Sequence, residues 1–457
     1  MTYCPGCLEK QRKINDLEEE NARLRAKLRY QERTAKEGPF GSSTPSSKIP
    51  VKPSTLQERQ ERRGGGKMGH CGHGRKGLAP EQADRIETVA APEFCPDCGT
   101  PLQDKGARTR TVRECQPVRM EQVMYYLERK RCPRCRRVIQ ARAPGVLPKG
   151  LYGNQLLAHV AVEHYVNGVT LGQLERQTGI GYGGLVNAMH QLARWLQDVP
   201  GKLIEEYRRS SPVKQADETG WRSDGQNGYA WLFCTIDLSI WRFRKTRSAA
   251  VPKEVFGPKR LPGTLVVDRY AAYNQVRCFL QYCYAHLKRD VEDLQKNFPD
   301  HAEVKCFVGS LVPLLSSAMS LRNLPISDRE FLSRAAEIKK QIIAVVEHPA
   351  QHPAIQTMQD LFREKSDRMY RWADDRRIPA DNNLAERELR PLVIARKVSF
   401  GSQSEAGAKT RETLMTVLHT LKKRTTDVFA AFKSALDKLA ENPKANLHKL
   451  LFSVDSS

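Results

Sequence analysis

Past Pro212 the spacing of apolar residues changes from helical to strand-like, and that change constrains the fold more than any other feature of the chain. Upstream, 154–199 reads as helix throughout: a periodic run ending at Asn167 and Gly168, a short helix behind Thr170, and a longer one after GIGYGG. Downstream, GYAWLFCTID and IWRFRKT form the arms of a hairpin, and GTLVVD is a short apolar run bounded by turn residues, as in a buried strand. RCFLQYCYA reads as a further strand. From His286 to about Ala380 several helical segments follow. The expectation is an α/β core with a mixed sheet, interrupted by a helical insertion.

Carboxylates stand at informative points of this pattern. Asp217 lies in VKQADETGWR, Asp268 closes GTLVVD, and Glu386 lies in IPADNNLAERELRPLVIARKVSF. Asn382, Glu386 and Arg390 recur at four-residue spacing, so a helix starting near Asn383 carries Glu386 in its first turn and turns Glu388 away. Asn383 with Glu386 also fits a capping box, and either aspartate alone fits an ordinary strand end. Three carboxylates within about 4 Å would repel by roughly 4 kcal/mol per pair at an effective dielectric near 20. A divalent cation relieves that repulsion, and hard oxygen ligands select Mg2+ or Mn2+. Arg387, Arg390, Arg396 and Lys397 surround Glu386 as candidate DNA phosphate clamps or as a solvated basic face. Cys283 and His286 form a CxxH pair that fits a structural role as well as a functional one.

Composition bounds the rest. With 457 residues and 40% hydrophobic content, the chain can bury at least one large core. Its net charge of +23 draws polyanions, nucleic acid above all. Most of its twelve cysteines precede residue 136, and the CxxC pairs among them point to metal in a reducing compartment rather than to disulfides. Cys95, Cys98, Cys132 and Cys135, as CPDC and CPRC, supply four thiolates for Zn2+ in a ribbon with a long hairpin. Cys4 and Cys7 lack a matching knuckle, with His70, Cys71 and His73 as remote candidates. Residues 8–34 carry Ile14, Leu17, Asn21, Leu24 and Leu28 in a heptad seam. In a parallel dimer Lys13 faces Glu18, Glu20 faces Arg25 and Lys27 faces Glu32. The following Ser-, Pro- and Gly-rich stretch cannot bury enough surface to fold. It serves as a tether or as a basic arm along phosphates. The short-turn-long helix order of 154–199 fits helix-turn-helix docking through Asn187, His190 and Gln191, and fits packing on the core equally. No apolar run approaches a membrane span, and MTYCPGCLEKQRK has no signal core.

The segments ADETGWR, VVDRYAAYN, CYAHLKRD and DNNLAERELRP followed by ARKVSFGS resemble the insertion-sequence 66 family of DDE transposases. The resemblance extends almost from end to end. It implies a ribonuclease-H-like core in which Asp217, Asp268 and Glu386 form an Asp-Asp-Glu triad on adjacent strand ends. Mg2+ or Mn2+ would then support water attack on the element end and attack of the freed 3′-hydroxyl on target DNA. The implied partners are double-stranded DNA (terminal repeats and target), a second copy or higher oligomer, and accessory proteins of the element. The implied location is the cytoplasm, at the bacterial nucleoid. The expected domains are 1–35 (CxxC and coiled coil), 36–85 (linker), 86–148 (zinc ribbon) and 149–208 (helical, candidate helix-turn-helix). The core follows over 209–420 with an insertion over about 287–378, and then a helical tail over 421–457. The alternatives are an inactive zinc-containing DNA-binding regulator derived from a transposase, and a structure-selective nuclease on the same fold. Retention of all three acids argues against the regulator.

Overall fold

The computed structural model describes residues 142–209 and 212–452 continuously, with 120–131, 138–140 and scattered positions nearer the N-terminus. The chain divides into two compact units, Thr44–Val123 and Met1–Ser43 with Met124–Ser457. Cys95, Cys98, Cys132, Cys135, Cys4 and Cys7 lie outside the described residues, as does nearly all of the linker. So does most of the coiled-coil segment, within which Lys13, Leu17, Glu18, Glu20, Asn21 and Leu24 are helical and exposed. Strand β1 (Arg129–Arg131) pairs antiparallel with β2 (Val138–Gln140).

The core is a five-stranded mixed sheet made of β3 (Val213–Gly220), β4 (Tyr229–Cys234), β5 (Ser239–Arg244), β6 (Thr264–Val267) and β7 (Phe279–Tyr282). Its order is β5-β4-β3-β6-β7. The first three strands form an antiparallel meander, and β6 and β7 run parallel to β3. Trp231, Leu232 and Phe233 are all fully buried, as a strand covered on both faces requires.

Helices α1 (Asn154–Tyr165), α2 (Leu171–Thr178), α3 (Tyr182–Trp195) and α4 (Val199–Arg209) precede the sheet. The α2 start is fixed by a capping box: Gln173 N–H donates to Thr170 Oγ1 at 3.2 Å, and Thr170 N–H to Gln173 Oε1 at 3.0 Å. Helix α5 (Ala250–Phe256) connects β5 to β6. The long helices α6 (Tyr284–Asn297), α7 (Ala302–Leu321), α8 (Asp328–Glu347) and α9 (Pro353–Glu364) follow β7, then the single turns α10 (Ser366–Met369) and α11 (Arg371–Asp374). The chain returns to the sheet in α12 (Asn383–Ser399) and α13 (Glu405–Arg424) and closes with α14 (Val428–Glu441) and α15 (Leu447–Phe452). Helix α13 continues past the boundary expected at 420.

Helix α7 corrects the reading of apolar runs. Among the described residues it alone is long and apolar enough, by length and composition, to cross a membrane. Glu303 and Lys305 near its start interrupt the run, yet the helix averages apolar. Val304, Phe307, Val308, Leu311 and Leu315 bury one stripe of it, which is the pattern of a bundle core.

Strand β5 is a sheet edge, and α13 covers it by a matched spacing. The outward N–H groups of Phe243, Trp241 and Ser239 donate to Glu412 Oε2, Thr416 Oγ1 and Thr420 Oγ1 at 3.0, 3.0 and 3.1 Å. Four helical residues rise about 6 Å and two strand residues about 6.6 Å, so one acceptor per turn meets every second strand residue. The edge is thereby closed to further strands.

Candidate active site

Side-chain alternation along β3 sends Gln215, Asp217 and Thr219 to one face and Ala216 and Glu218 to the other. Helix α12 lies along the first face. Its Ala385 N–H donates to Gln215 Oε1 at 3.2 Å. Asn382 Nδ2 donates to the Ala216 carbonyl at 2.8 Å. Further on, Arg396 Nη1 donates to Thr219 Oγ1 at 3.0 Å and to the Gly220 carbonyl at 2.6 Å. These contacts place the first turn of α12, and Glu386 with it, beside Asp217. The capping box does not form: the N-cap is Asn382, and its side chain is spent on β3.

Asp268 follows the last residue of β6, which is parallel to β3, so the two aspartates come from neighbouring strands. The Tyr270 N–H donates to Asp268 Oδ1 at 2.9 Å. Burial pushes the Asp217 carboxyl well above the ordinary carboxylate range, and the charges of Glu218, Asp268 and Glu386 push it further. The Glu218 N–H, donating to Asp217 Oδ1 at 2.8 Å, opposes that rise. The structure therefore brings Asp217, Asp268 and Glu386 into one electrostatic group.

Glu218 is a member of this neighbourhood that the sequence did not single out. Arg247 donates to Glu218 Oε1 from Nε at 3.0 Å and Nη2 at 2.6 Å, and the Tyr273 hydroxyl donates to Oε2 at 2.5 Å. Burial, then the charge of Asp268, raise its carboxyl to about 7 against the pull of Arg247 and Tyr273. An acid adjacent to Asp217 was visible in ADETGWR. Its partners follow from the sheet and were not.

Glu386 Oε1 is buried without a hydrogen-bond partner, and so is His286 Nδ1, 3.8 Å away. Among the described residues the one group of three His, Cys, Asp or Glu side chains whose donor atoms lie within 4.8 Å of one another is Cys283 Sγ, a His286 ring nitrogen and a Glu386 oxygen, so Glu386 is set closer to this pair than to both aspartates together. Burial, then the charge of Glu386, push the Cys283 thiol up to about 12, although the Asn382 N–H donates to its sulfur at 3.2 Å. Glu388 points to the other side of α12, accepting from Ser239 Oγ at 2.6 Å and pairing with Lys423.

The four basic residues divide. Arg387, Arg390 and Lys397 are exposed, with no hydrogen bond or ion pair among the described residues. Arg396 is half-buried and holds α12 to β3. On α3, His190 turns to α13, with Nδ1 2.6 Å from Thr410 Oγ1, while Asn187 and Gln191 are exposed beside the same helix.

The site thus sets carboxylates from two neighbouring strands of a mixed sheet beside the first turn of one helix. The model of the Transposase IS66 family matches residues 149–410, most of the chain, and the chain belongs to that family. Two uncharacterized proteins of Sinorhizobium fredii (strain NBRC 101917 / NGR234) are similar to it. Protein y4qI is 26% identical over 448 residues, covering 87% of this chain and 80% of its own length. Protein y4jD is 23% identical over 408 residues, covering 79% and 78%.

Proposed function

We propose that the chain is a DDE transposase on a ribonuclease-H-like core, cleaving DNA at the ends of its mobile element and joining those ends to target DNA. The observation that carries this reading is the gathering of Asp217, Asp268 and Glu386, from two neighbouring strands and a distant helix, where burial and the charges of its neighbours oppose the ionisation of Asp217. Asp217, Asp268 and Glu386 would hold Mg2+ or Mn2+; the hard oxygen set and the orphaned Glu386 oxygen fit such an ion. When bound, the ion supplies activation of the attacking oxygen and stabilisation of the leaving one. The Cys283 thiol, held protonated, is the poorer ligand for so hard a cation.

The chain's own residues do the rest. Asn382, Gln215 and Arg396 hold α12 rigidly on β3, so that Glu386 faces Asp217. Arg247 and Tyr273 fix the neighbouring Glu218 on the opposite face of β3, where its charge still acts on Asp217. Arg387, Arg390 and Lys397 lie free on α12 to meet DNA phosphates. Outside the core we assign a zinc ribbon on Cys95, Cys98, Cys132 and Cys135 and parallel pairing through 8–34. Zinc-free purified protein, or a strictly monomeric full chain on sedimentation, removes the corresponding part.

The decisive experiment incubates the protein with DNA carrying both ends of its own element and a target plasmid. Divalent-cation-dependent joining of the 3′ ends is expected. Cleavage without joining would mark a nuclease, and DNA binding with neither step would mark a regulator.

A further inference from the structure

Arg411 is a cation buried without an anion. It is 8% exposed and lies in the interior of α13. Its flat guanidinium sits over the Tyr165 ring at 5.1 Å and the Trp221 ring at 5.2 Å. Its hydrogen bond is to His164, with Nη2 3.0 Å from Nε2, and among the described residues it has no ion pair. His164 cannot supply the missing charge. Nδ1 lies 2.8 Å from the Val169 carbonyl and is therefore the protonated nitrogen, which leaves Nε2 to accept from Arg411. Burial, then the charge of Arg411, lower its pKa to about 4 and keep it neutral. A buried charge left in this state destabilises a fold unless an anion reaches it.

An approach exists. Arg411 lines a cavity of about 400 Å³ whose other walls include Thr170, Ser402, Gln403 and Ser404. Ser404 is the N-cap of α13, so the partial positive charge of that long helix's N-terminus faces the same region. The floor is held in place by the SFGS turn. Ser402 N–H donates to the Arg222 carbonyl at 2.9 Å, and any Cβ at Gly401 would meet that carbonyl oxygen at 2.2 Å. The cavity shares His190 and Thr410 with a second of about 520 Å³, which shares Gln191, Arg194 and Gln197 with a third of about 440 Å³. The three succeed one another along α3 as a broken trough, the hydrogen-bonded His190–Thr410 pair standing between the first two. Its lining contains Lys149, Arg194, Lys409 and Arg411 and no acidic residue. A single small anion would use one end of such a trough, whereas a polyanion uses its length.

We propose that this trough binds a nucleic-acid strand, seating one backbone phosphate against Arg411. The proposal deepens the transposase reading by naming where DNA lies, but its test needs no catalysis. Affinity for a short labelled oligonucleotide, single-stranded or duplex, is measured for the full chain in chelator across a salt series. Arg194→Ala with Lys409→Ala should weaken binding about tenfold or more. It should also flatten the log–log salt dependence by about 1 to 2, since each lost phosphate contact removes about 0.7 to 0.9. Arg411→Met should weaken it further, and Arg411→Lys should recover part. Should Arg411→Met not fold, Gln403→Glu sets a carboxylate at the exposed mouth of the cavity and should also weaken binding. Wild-type affinity and slope in the Arg194/Lys409 pair and in Gln403→Glu would overturn the proposal. Inorganic phosphate serves as the second probe. If it protects the wild type but not Arg411→Met against heat while oligonucleotide affinity stays unchanged in every variant, the cavity takes a free phosphate, and the strand is overturned. Because the measurement reads binding alone and is made in chelator, failure of the catalytic reading would leave this result standing.

Discussion

The molecule encloses carboxylates in two places and treats them oppositely. Along the β5–α13 seam, Glu412 takes Arg242 Nη1 at 2.9 Å, Arg244 Nη1 at 2.7 Å and a backbone N–H, while Glu388 takes Lys423 and Ser239. At the sheet's centre, Asp217 lies in the field of Asp268 and Glu386, and Glu386 Oε1 has no hydrogen-bond donor among the described residues. A fold that buries acids for its own stability supplies the cations with them. One that sets acids against each other leaves the neutralising charge to come from outside, and such sites are where chemistry is done. Glu386 and Glu388 sit two residues apart on one helix and fall on the two sides of this division.

The largest effect should follow from exchanging those two. Glu386→Gln keeps size and removes charge, so metal-dependent cleavage should fall by roughly two to three orders of magnitude or more while DNA binding persists. Asp217→Asn and Asp268→Asn should do the same, and the double variants should lose little more, because one missing ligand already disables the site. Glu388→Gln should keep cleavage at temperatures where it stays folded. The reverse ranking in a cleavage assay would place the third acid on the wrong side of α12.

Stability should rank the other way. Glu412→Gln leaves Arg242 and Arg244 sharing only Glu254, which is 42% exposed, where Glu412 is 15% exposed, so unfolding free energy should drop by about 1 to 3 kcal/mol. Asp217→Asn, which relieves repulsion, should hold or raise it. Denaturant melts of the metal-free protein measure both. Equal losses at the two sites would erase the distinction between paired and opposed acids.

What the sequence made legible is what local patterning controls. The β4–β5 hairpin, β6, β7, the Thr170 start of α2 and the start of α12 near Asn383 all follow from apolar runs and turn or cap residues. Asp268 and Glu386 stood out because one closes and the other opens such an element, whereas Asp217, expected at a strand end, lies inside β3. Long-range partners were not legible. Arg247 reaches Glu218 only because the meander folds it there, and Arg396 reads as an exposed clamp until β3 is laid beneath it. Nothing in the neighbours of Arg411 in TRETL tells of the rings of Tyr165 and Trp221. The Thr416 and Thr420 acceptors likewise depend on a helix meeting a strand that lies far back in the chain.

The smallest effect is a pH dependence, and it belongs to the opposed acids. Glu218 rises from 4.5 to about 7 on folding, and Asp217 rises from 3.8 in the same direction. Between the unfolded and folded values the folded chain binds more protons than the unfolded one, so stability is greatest below the unfolded pKa and falls as pH rises toward the folded one. In chelator these two acids should therefore tilt the melting temperature downward from about pH 5 to about pH 7, against the upward tilt of the buried His164 and His419, both lowered to about 4. Their share of the decline is read as the difference in slope between wild type and Asp217→Asn. Mn2+ competes with protons for the same oxygens, so its stabilisation should be larger near pH 7 than near pH 5. Asp217→Asn removes one of the raised groups and a ligand together, so it should flatten the decline and shrink the Mn2+ effect, whereas Glu412→Gln should shift the whole curve down and leave its shape. A Mn2+ effect of full size in Asp217→Asn would mean that the ion is held elsewhere, with Cys283 and His286 the first place to look.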